Sequence, residues 1–548
     1  MNKTELFGYT PAETYRTAVA YFSMEYAIDQ SLKIYAGGLG FLAGSHLRSA
    51  HHLQQNVIAI GLLWKYGYYD QVRDTSNHMV PMFMEKNYSF LKDIGVTFTV
   101  TVHQAPVYVR AYLLPPSTFN CAPLFLLTTD IPENDGLSRS ITYRLYDSNE
   151  ATRIAQSIVL GIGGATLLDI LGLTPDVYHM NEGHAVALNF YLYDKFKNLE
   201  DVKKRVVFTT HTPEMAGNEA HSFALLDTMS FFYHLNGAQV RDLLQLSGDQ
   251  FNYTVAALKF ARKANGVSQL HAQVARQMWS NNAGICPIIA ITNAQNEAYW
   301  ADSQIGEALR AKNTGEFTTR KKILKRNLLG IVADQCGKLF REDVLTIVWA
   351  RRFAGYKRAE LLMEDWAGFV QLVSQTKFPV QLIWAGKPYP GDEIGKAQFN
   401  RLIDRTRDFA NCAVLTGYEL QLSATLKRGA DVWLNTPRLY HEASGTSGMT
   451  AAMNGTVNVT IPDGWVPEFA RDQINCFCIP TAPQHLTEAE KDQWENKALL
   501  EILNQHVLPM YYEKPEAWAK IVATAFEDIC PAFDSDRLAS QYYQDLYG

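Results

Sequence analysis

The first half of the chain alternates short apolar runs with longer amphipathic stretches. Val19–Met24, apart from Ser23, and Val57–Leu63 lack polar side chains, and a glycine turn between them leads into a helical pattern over residues 41–53. Thr97–Val102 and Val107–Leu114 alternate apolar with polar residues, which predicts an antiparallel pair of strands. The pattern therefore predicts an α/β domain.

Two later apolar runs, Val177–His179 and Val206–Thr210, have the length and composition of buried parallel strands. Each runs directly into a polar cluster, Asn181-Glu182-Gly183-His184 after the first and His211-Thr212-Pro213-Glu214 after the second. In an open parallel sheet, ligands bind where the carboxyl ends of strands meet helix starts. The sequence therefore predicts a binding role for both clusters.

The second half of the chain repeats the strand–helix rhythm. Its candidate strands are Val344–Ala350, Val380–Ala385, Ala413–Leu415 and Asp431–Asn435. Phe317–Arg326 is basic and is predicted to be a surface helix near the junction of the two halves. This rhythm predicts two doubly wound α/β domains facing a cleft, with a boundary near residues 330–342.

Composition narrows the class of protein. With 548 residues the chain is too long for one compact core, and its net charge of −6 gives no basic footprint for nucleic acid or a membrane. Seven scattered cysteines without a C-x-x-C pair favour a reducing cytoplasm over a disulfide framework or a zinc site. The N-terminus lacks an apolar signal core, and the apolar stretch Ile158–Leu173 is short and interrupted by Asp169, which indicates a buried helix.

Three segments carry more glycine, charge or hydroxyl groups than packing requires. Gly37–Gly40 follows a strand and is either a tight turn or a set of backbone donors facing an anion. Arg351–Arg358 holds four cations at a strand end, which form either a solvated helix start or a phosphate site. His441–Met449 has the composition of a backbone-donor nest, and its Glu442 is either a helix-start acid or an acceptor for sugar hydroxyls.

His184 and His211 follow consecutive predicted strands, beside Asn181 and Glu182. A single histidine is usually structural, but two at neighbouring strand ends favour a shared site. Their spacing is not that of metal ligands such as H-x-x-x-H, so no metal site is predicted. Together these features fit transfer of a glycosyl group from a phosphorylated leaving group, with the donor left open.

Long segments of the chain resemble the α-glucan (glycogen/maltodextrin) phosphorylase family, especially its short bacterial and archaeal branch. In family order they are AYFSMEYAIDQSLKIYAGGLGFLAGSHLRSA (20–50), ATRIAQSIVLGIGG (151–164), HMNEGHA (179–185), FTTHTPEMAGNE (208–219), ARRFAGYKRAELL (350–362), DVWLNTPRLYHEASGTSGM (431–449) and FDSDRLASQYYQDLYG (533–548). The resemblance implies a GT-B fold, with two Rossmann-like domains facing a deep cleft. Residues 1–335 would form the acceptor side, 336–530 the donor and phosphate side, and 531–548 a helix that crosses back to the first domain.

The resemblance also implies an activity, which is reversible phosphorolysis of α-1,4-glucan to glucose 1-phosphate with retention of configuration. The catalytic residues it implies are Arg352, Lys357, Glu442 and His211. The implied substrate-binding residues are Gly38, Leu39, Glu182, His184, Tyr356 and Glu25, and those at the cofactor or donor phosphate are Arg351, Thr446, Ser447, Gly448 and Thr450. The implied partners are an α-glucan or maltooligosaccharide with phosphate, glucose 1-phosphate or a nucleotide sugar, in the cytoplasm, and many family members are homodimers.

Thr450 departs from the family pattern. In the family the segment EASGT is followed by two residues and MK, and that lysine forms a Schiff base with pyridoxal phosphate. Here the segment is EASGTSGMT, and no lysine occurs between Lys427 and Lys491. Because threonine cannot form an imine, no covalent pyridoxal phosphate is expected, and an unanchored catalytic group would lose its positioning.

Three hypotheses follow from this departure. In the first, phosphorolysis persists with noncovalent pyridoxal phosphate. In the second, part of a nucleoside-diphosphate glucose takes the cofactor's place, because Arg352 and Lys357 are five apart and Glu442 and Thr450 eight apart, as in retaining enzymes that use such donors. In the third, the protein is a noncatalytic glucan-binding or regulatory homologue. Retention of the catalytic set favours an enzyme, a retaining glucosyltransferase of α-glucan phosphorylase type.

Overall fold

The computed structural model describes residues 3–548, apart from the side chains of residues 3, 4 and 216. The chain folds into two compact units. The first comprises residues up to Tyr69, Phe83–Asn296 and Ser535–Gly548, and the second comprises Asp70–Met82 and Glu297–Asp534. The chain therefore passes between the units at more points than the sequence pattern indicated.

A nine-stranded sheet forms the centre of the first unit. From edge to edge its strands are Ile288–Ala290, Lys263–Gly266, Val206–Thr209, Val177–Asn181, Val19–Phe22, Val57–Leu62, Leu124–Thr128, Ala105–Leu114 and Lys92–Val102. The first seven in this order are parallel, and the last two form the predicted antiparallel pair. Winding reverses between Val19–Phe22 and Val177–Asn181, so the loops after these two strands diverge and leave room for a ligand.

Helices of the first unit begin mostly at capping side chains. The longer ones are Gly38–His52, Glu150–Ile158, Gly164–Ile170, Leu188–Phe196, Gly237–Leu244, Tyr253–Phe260 and Gln269–Trp279. The side chains of Asn149, Asn236, Asn252 and Ser268 each accept an N–H of the following first turn. These caps satisfy donors that a helix start otherwise leaves open.

One long apolar helix crosses the core of this unit. A π-helical turn over Val159–Gly163 joins its two α-helical parts, so that it runs from Glu150 to Ile170. Its length and composition would allow it to span a membrane, but 78% of its most apolar stretch is buried inside the protein. The predicted buried helix is therefore confirmed.

The C-terminal segment Ser535–Gly548 lies in the first unit. The Tyr547 hydroxyl lies 2.8 Å from Nδ1 of the buried His179, and Nη2 of Arg262 donates to the Tyr547 carbonyl at 2.5 Å. The Ser535 and Ser49 hydroxyls are 2.6 Å apart. These buried contacts begin at Ser535, four residues after the predicted start at 531.

The second unit contains a sheet of six parallel strands. Their order is Cys412–Leu415, Val380–Ala385, Leu345–Ala350, Val432–Asn435, Val457–Thr460 and Phe477–Cys478. This is the doubly wound dinucleotide-binding order, and winding reverses between Leu345–Ala350 and Val432–Asn435. The predicted α/β class with two Rossmann-like units, as in GT-B proteins, is thus confirmed.

Helix Thr314–Cys336 places the boundary between the units earlier than predicted. The longer helices of the second unit are Thr314–Cys336, Trp366–Ser374, Glu393–Thr406, Leu420–Gly429, Glu488–Ile502 and Pro515–Phe533. Leu328 and Val332 pack in one core cluster with Val348 and Ile383 of the sheet. Because its apolar face is buried there, the helix belongs to the second unit, which begins at Glu297 instead of near residue 336.

The same helix corrects the prediction of a basic surface helix over Phe317–Arg326. Lys325 is 2% exposed, and its ammonium donates to the Asp431 carboxylate at 2.5 Å and to the Val344 carbonyl at 2.6 Å. Lys321 is also buried and donates to the Thr456 hydroxyl at 2.8 Å. Buried ammonium groups need such acceptors, and a run of basic residues does not reveal them.

A hairpin from the first half of the sequence also belongs to the second unit. It pairs Asp70–Arg73 with Met79–Met82. The Gln71 side chain donates to the Gly386 carbonyl at 2.8 Å and accepts the Gly417 N–H at 3.0 Å. The hairpin is held by these polar contacts more than by an apolar face, so hydrophobic periodicity gave no sign of it.

Candidate functional site

The glycine turn of the first unit is the start of a long helix. Gly38 is the first residue of helix Gly38–His52 and Leu39 is the second. The first N–H groups of a helix have no acceptor within it, and they carry the positive end of the helix dipole. The anion-facing alternative for this turn is therefore compatible with its structure.

The Glu25 carboxylate holds this turn by hydrogen bonds. Its Oε2 accepts the N–H groups of Ala36 at 2.6 Å and Gly37 at 3.0 Å, and its Oε1 accepts the Tyr146 hydroxyl at 2.7 Å. A Cβ added to Gly40 would lie 2.7 Å from Oε2, so only glycine fits there. The structure thus places the buried Glu25 carboxylate against the protein's own backbone, and its predicted substrate contact stays a prediction.

Glu182 links the two polar clusters that follow neighbouring strands. Its Oε2 accepts the His211 N–H at 2.7 Å and the Thr212 hydroxyl at 3.2 Å, while burial raises the pKa of its carboxyl. Its backbone has a φ of 73°, an uncommon conformation for a residue other than glycine. Such strain is often retained at functional sites, and here it directs the carboxylate toward the next loop.

His211 is held in one orientation and one protonation state. Its Nε2 lies 2.7 Å from the Asn181 Oδ1, and the Asn181 amide nitrogen donates to the Ser23 hydroxyl at 3.1 Å. Because Asn181 presents its oxygen, Nε2 carries the proton and Nδ1 is left as an acceptor. Burial lowers the pKa of His211 to about 3, so the ring is neutral and suited to accept a hydroxyl hydrogen.

His184 lies beside the same group of residues. Its ring centroid is 5.6 Å from that of Tyr146, whose hydroxyl binds Glu25. Among the residues that the structure describes, Nδ1 of His184 has no hydrogen-bond partner although it is buried. The first unit therefore brings together Glu25, Glu182, His184 and His211, at the edge where the winding of its sheet reverses.

A second charged network lies close to these residues. His221 is 2% exposed, with Nδ1 at 2.7 Å from Glu150 and Nε2 at 3.2 Å from Glu219, which also pairs with Arg153 at 2.8 Å. Burial would lower the pKa of His221, but the two carboxylates raise it above its usual value. The folded protein therefore favours the protonated form of the His221 ring.

We expect the stability of the protein to depend on this histidine between about pH 6 and pH 8. A raised pKa means that the contribution is complete below the unfolded-state pKa and is lost as pH rises through the folded-state pKa. His221→Gln should therefore lower the thermal midpoint more near pH 6 than near pH 8, measured by circular dichroism. The control is His234→Gln, at an exposed ion pair with Asp194. Equal losses for His221→Gln at both pH values would contradict this prediction.

In the second unit, the sequence-predicted cations and carboxylate meet where the winding reverses. Arg351 follows the strand Leu345–Ala350, and Glu442 lies in the loop after Val432–Asn435. Nη2 of Arg351 donates to Oε2 of Glu442 at 2.8 Å, and the Lys357 ammonium donates to the same oxygen. One carboxylate oxygen therefore pairs with two buried cations, so that these three side chains carry a net positive charge.

The charge state of Glu442 follows from these partners. Burial would raise the pKa of its carboxyl, but Lys357, Arg351 and the more distant Arg352 together lower it below the usual range. Arg352 is exposed, whereas Arg351 and Lys357 are buried. Tyr356, whose ring centroid lies 4.7 Å from the Lys357 ammonium, completes this group. Glu442 is thus ionised and surrounded by positive charge.

Arg351 has donors that the protein does not use. Within the described part of the chain, its Nε and Nη1 are buried and have no hydrogen-bond partner. Leaving such donors unpaired is costly, which indicates that a ligand supplies the acceptor. Glycine at position 386 allows close approach to the Arg351 backbone, because a Cβ there would lie 1.8 Å from the Arg351 carbonyl oxygen.

The segment from Thr446 to Thr450 forms the start of the short helix Ser447–Ala452. The Ser447 hydroxyl lies 3.3 Å from the Trp433 indole nitrogen, which donates to it. Thr450 is 1% exposed, and its hydroxyl donates to the Ser447 carbonyl at 3.0 Å. Gly448 packs against Asn458, whose amide donates to its carbonyl at 3.0 Å. The Thr450 side chain is therefore buried against its own helix.

The residues of this segment fit only part of pyridoxal phosphate. The unused donors of Arg351 fit its phosphate, but position 450 offers no amine for an imine. The buried lysines that the structure describes in the second unit all have other partners, namely Lys321 with Thr456, Lys325 with Asp431, Lys357 with Glu442, Lys387 with Glu419 and Lys427 with the Trp300 ring. A Schiff base does not fit this arrangement.

The sequence did not indicate two residues that hold the site in place. Tyr146 binds Glu25, and Asp463 accepts the Glu442 N–H at 2.9 Å. Asp463 stands before a glycine just beyond a strand, which is a position where doubly wound folds place binding residues. That signal could have identified Asp463, whereas nothing in the local sequence marks Tyr146.

Comparisons with known proteins identify relatives of this chain. The carbohydrate phosphorylase family matches residues 241–502, and the starch synthase catalytic domain matches residues 34–281. The chain is 33% identical to a maltodextrin phosphorylase of Thermococcus litoralis over 100% of its own length and 72% of the relative's. It is 44% identical to an uncharacterised protein of Methanocaldococcus jannaschii, over 96% of this chain and 99% of that protein. It is 23% identical to a glycogen synthase of Ligilactobacillus salivarius, over 74% of this chain and 78% of that protein. The chain belongs to the carbohydrate phosphorylase family of α-glucan glycosyltransferases.

Proposed function

We propose that the protein is a retaining glucosyltransferase that acts on α-1,4-glucan with a phosphorylated glucosyl donor or product, and that it works without a Schiff base to pyridoxal phosphate. The observation that carries this proposal is the buried Arg351, two of whose donors have no acceptor among the residues that the structure describes. A phosphate oxygen is a strong acceptor for a guanidinium, because the bond is charge-assisted. The lack of an amine at Thr450 supports the second half of the proposal.

The roles of the other residues follow from their positions. Arg352 and Lys357 bind the substrate phosphate, Arg351 binds the phosphate of the cofactor or donor, and Glu442 accepts hydrogen bonds from hydroxyls of the glucosyl group. In the first unit, neutral His211 offers Nδ1 to a sugar hydroxyl, while Glu182 and His184 act on the glucan side. The N–H groups of Gly38 and Leu39 add dipolar donors for an anion. Each of these groups binds or orients; none is assigned a covalent step.

Pyridoxal phosphate, when present in this family, supplies a phosphate that exchanges a proton with the substrate phosphate. Here Arg351, Thr446, Ser447 and Gly448 would hold that phosphate without an imine. Noncovalent binding makes its occupancy depend on concentration, since nothing anchors the ring. Dialysis should therefore remove it under native conditions, unlike a Schiff-base cofactor.

Phosphate binding tests the role of Arg351. We expect Arg351→Met to weaken binding of inorganic phosphate by about 10- to 100-fold, because charge-assisted hydrogen bonds contribute about 1.5–3 kcal/mol. Isothermal calorimetry measures this affinity. The control is Arg401→Met, which removes a surface arginine paired with Glu360 at 2.6 Å. Unchanged phosphate affinity in Arg351→Met, with both variants folded, would remove the main support for the proposal.

A second candidate donor is a nucleoside-diphosphate glucose, which is favoured by the match of residues 34–281 to the starch synthase catalytic domain. Against it stands the Thr450 hydroxyl, which is buried and bonded within its own helix where a ribose contact was predicted. Glucose 1-phosphate and the UDP-, ADP- and GDP-glucose donors can be compared with maltoheptaose as acceptor. Release of phosphate identifies the first candidate, and release of a nucleoside diphosphate identifies the second.

A further inference from the structure

Asp463 is a buried carboxylate that faces the backbone of the Glu442 loop. It lies just after the strand Val457–Thr460 and is 1% exposed. Its Oδ2 accepts the Glu442 N–H at 2.9 Å, and its Oδ1 accepts the Gly464 N–H at 2.9 Å. Both oxygens thus accept a hydrogen bond, and Oδ2 holds the backbone of Glu442, on which the site depends.

A second contact holds the same loop two residues further on. The Trp465 N–H donates to the Ser444 carbonyl at 3.1 Å. Gly464 between them has a φ of 62°, and a Cβ there would lie 2.3 Å from that carbonyl oxygen. The segment Asp463–Trp465 therefore binds the loop by hydrogen bonds at Glu442 and at Ser444. The close approach of the two segments requires glycine at position 464.

We propose that Asp463 is a positioning residue, whose ionised carboxylate fixes the Glu442 backbone so that the Glu442 side chain stays between its cations and the glucosyl hydroxyls. This inference rests on the proposed function of Glu442. A carboxylate can accept both N–H groups. A carboxamide has one accepting oxygen, and its NH2 group would meet the second N–H as donor against donor. Only the ionised acid satisfies both sides.

The ionisation of Asp463 falls within an accessible pH range. Burial, and to a lesser extent the nearby Glu442 charge, raise the pKa of Asp463 to about 6 against the opposing effect of the N–H groups of Glu442, Gly464 and Tyr440. The charged groups beyond Glu442 are Lys357 and Arg351, which hold its carboxylate. As pH falls through about 6, Asp463 becomes protonated, one oxygen stops accepting, and the Glu442 loop loses a support.

Asp463→Asn tests this role through a pH profile. We expect turnover at neutral pH to fall by about 10- to 100-fold, since small displacements of a binding group are costly. Wild-type turnover should decline below about pH 6, and the variant should lack that decline. The KM for glucan should change little in comparison with kcat. Asp404→Asn, which removes a half-exposed carboxylate beside His78, is the control and should match the wild type.

A crystallographic comparison tests the role of Asp463 even if none of the donors supports turnover. A lack of turnover would count against the proposed function and not against this role. In Asp463→Asn we expect the Glu442 carboxylate to leave the Lys357 ammonium; an unmoved Glu442, or a variant that keeps the wild-type acid decline, overturns the inference. If the variant does not fold, wild-type crystals at about pH 5 and pH 8 replace it. Glu442 should then shift at the lower pH, and identical positions at both pH values overturn the inference.

Discussion

Replacing Glu442 with glutamine is expected to lower glucosyl transfer by about 10²- to 10³-fold, the cost of removing one preorganised polar group from a reaction site. The same change should strengthen binding of inorganic phosphate. In the structure Arg351 and Lys357 both donate to one oxygen of Glu442, so the carboxylate competes with any anion for these cations. Glutamine keeps the shape of the side chain and removes the competition. Turnover and phosphate affinity should therefore change in opposite directions.

Steady-state kinetics and calorimetry measure the two effects separately. Glu360→Gln is the matched control, because it also removes a carboxylate from an arginine, Arg401, but on the surface. The site variant should be less stable by about 3–5 kcal/mol, the usual cost of removing one partner of a buried ion pair, so both assays belong well below its thermal midpoint. Added phosphate should recover part of that stability by binding the freed cations. Weaker phosphate binding in Glu442→Gln would contradict the proposed arrangement.

Thr450→Lys is expected to allow covalent attachment of pyridoxal phosphate at position 450, which the proposed function excludes for the wild type. The new ammonium would stand one turn from Ser447, close to the segment proposed to hold the cofactor phosphate. Imine formation then needs only a neutral amine and the aldehyde. Borohydride reduction followed by peptide mass spectrometry detects the linkage. Phosphorolysis of maltoheptaose should rise with it.

The control for this gain is Thr450→Met, which has a similar length and no amine. Thr450 is buried, so both variants add volume to a packed region and should destabilise the protein by about 1–3 kcal/mol. Any effect of volume alone is then shared by the two. Covalent labelling in the wild type at another lysine would show that the proposal of a chain without a Schiff base is wrong. If Thr450→Lys attaches pyridoxal phosphate but does not catalyse phosphorolysis, the reason for the missing phosphorolysis lies elsewhere in the site.

Hydrophobic patterning predicted the elements that position the site. Val177–Asn181, Val206–Thr209 and Leu345–Ala350 are continuous apolar runs because parallel strands are buried on both faces. The polar residues after them could therefore be assigned to the ligand edge before the structure was known. Lys357 and Glu442 were predicted as catalytic residues together with Arg352, and Arg351 was predicted at the cofactor or donor phosphate. The structure brings Arg351 and Lys357 within hydrogen-bonding distance of Glu442.

The remaining features depend on contacts between residues far apart in sequence. Glu25 was predicted to bind substrate from its place in a family motif. In the structure its carboxylate accepts hydrogen bonds from Ala36, Gly37 and Tyr146. The resemblance assigned Arg352 to catalysis and Arg351 to the cofactor or donor phosphate, but the sequence did not tell which of the two is buried, because adjacent residues at a strand end differ only in the direction of their side chains. The structure shows Arg351 as the buried one of the two.

The C-terminal segment has a consequence for biosynthesis. His179 lies in a central strand of the first unit, yet its hydrogen-bond partner Tyr547 lies 368 residues later in the chain. Ribosomes make the chain from the other end, so nearly all of the second unit is translated before the first can close its central sheet. In a nascent chain the edge near His179 therefore stays uncovered until residues 535–548 have been made and have left the exit tunnel.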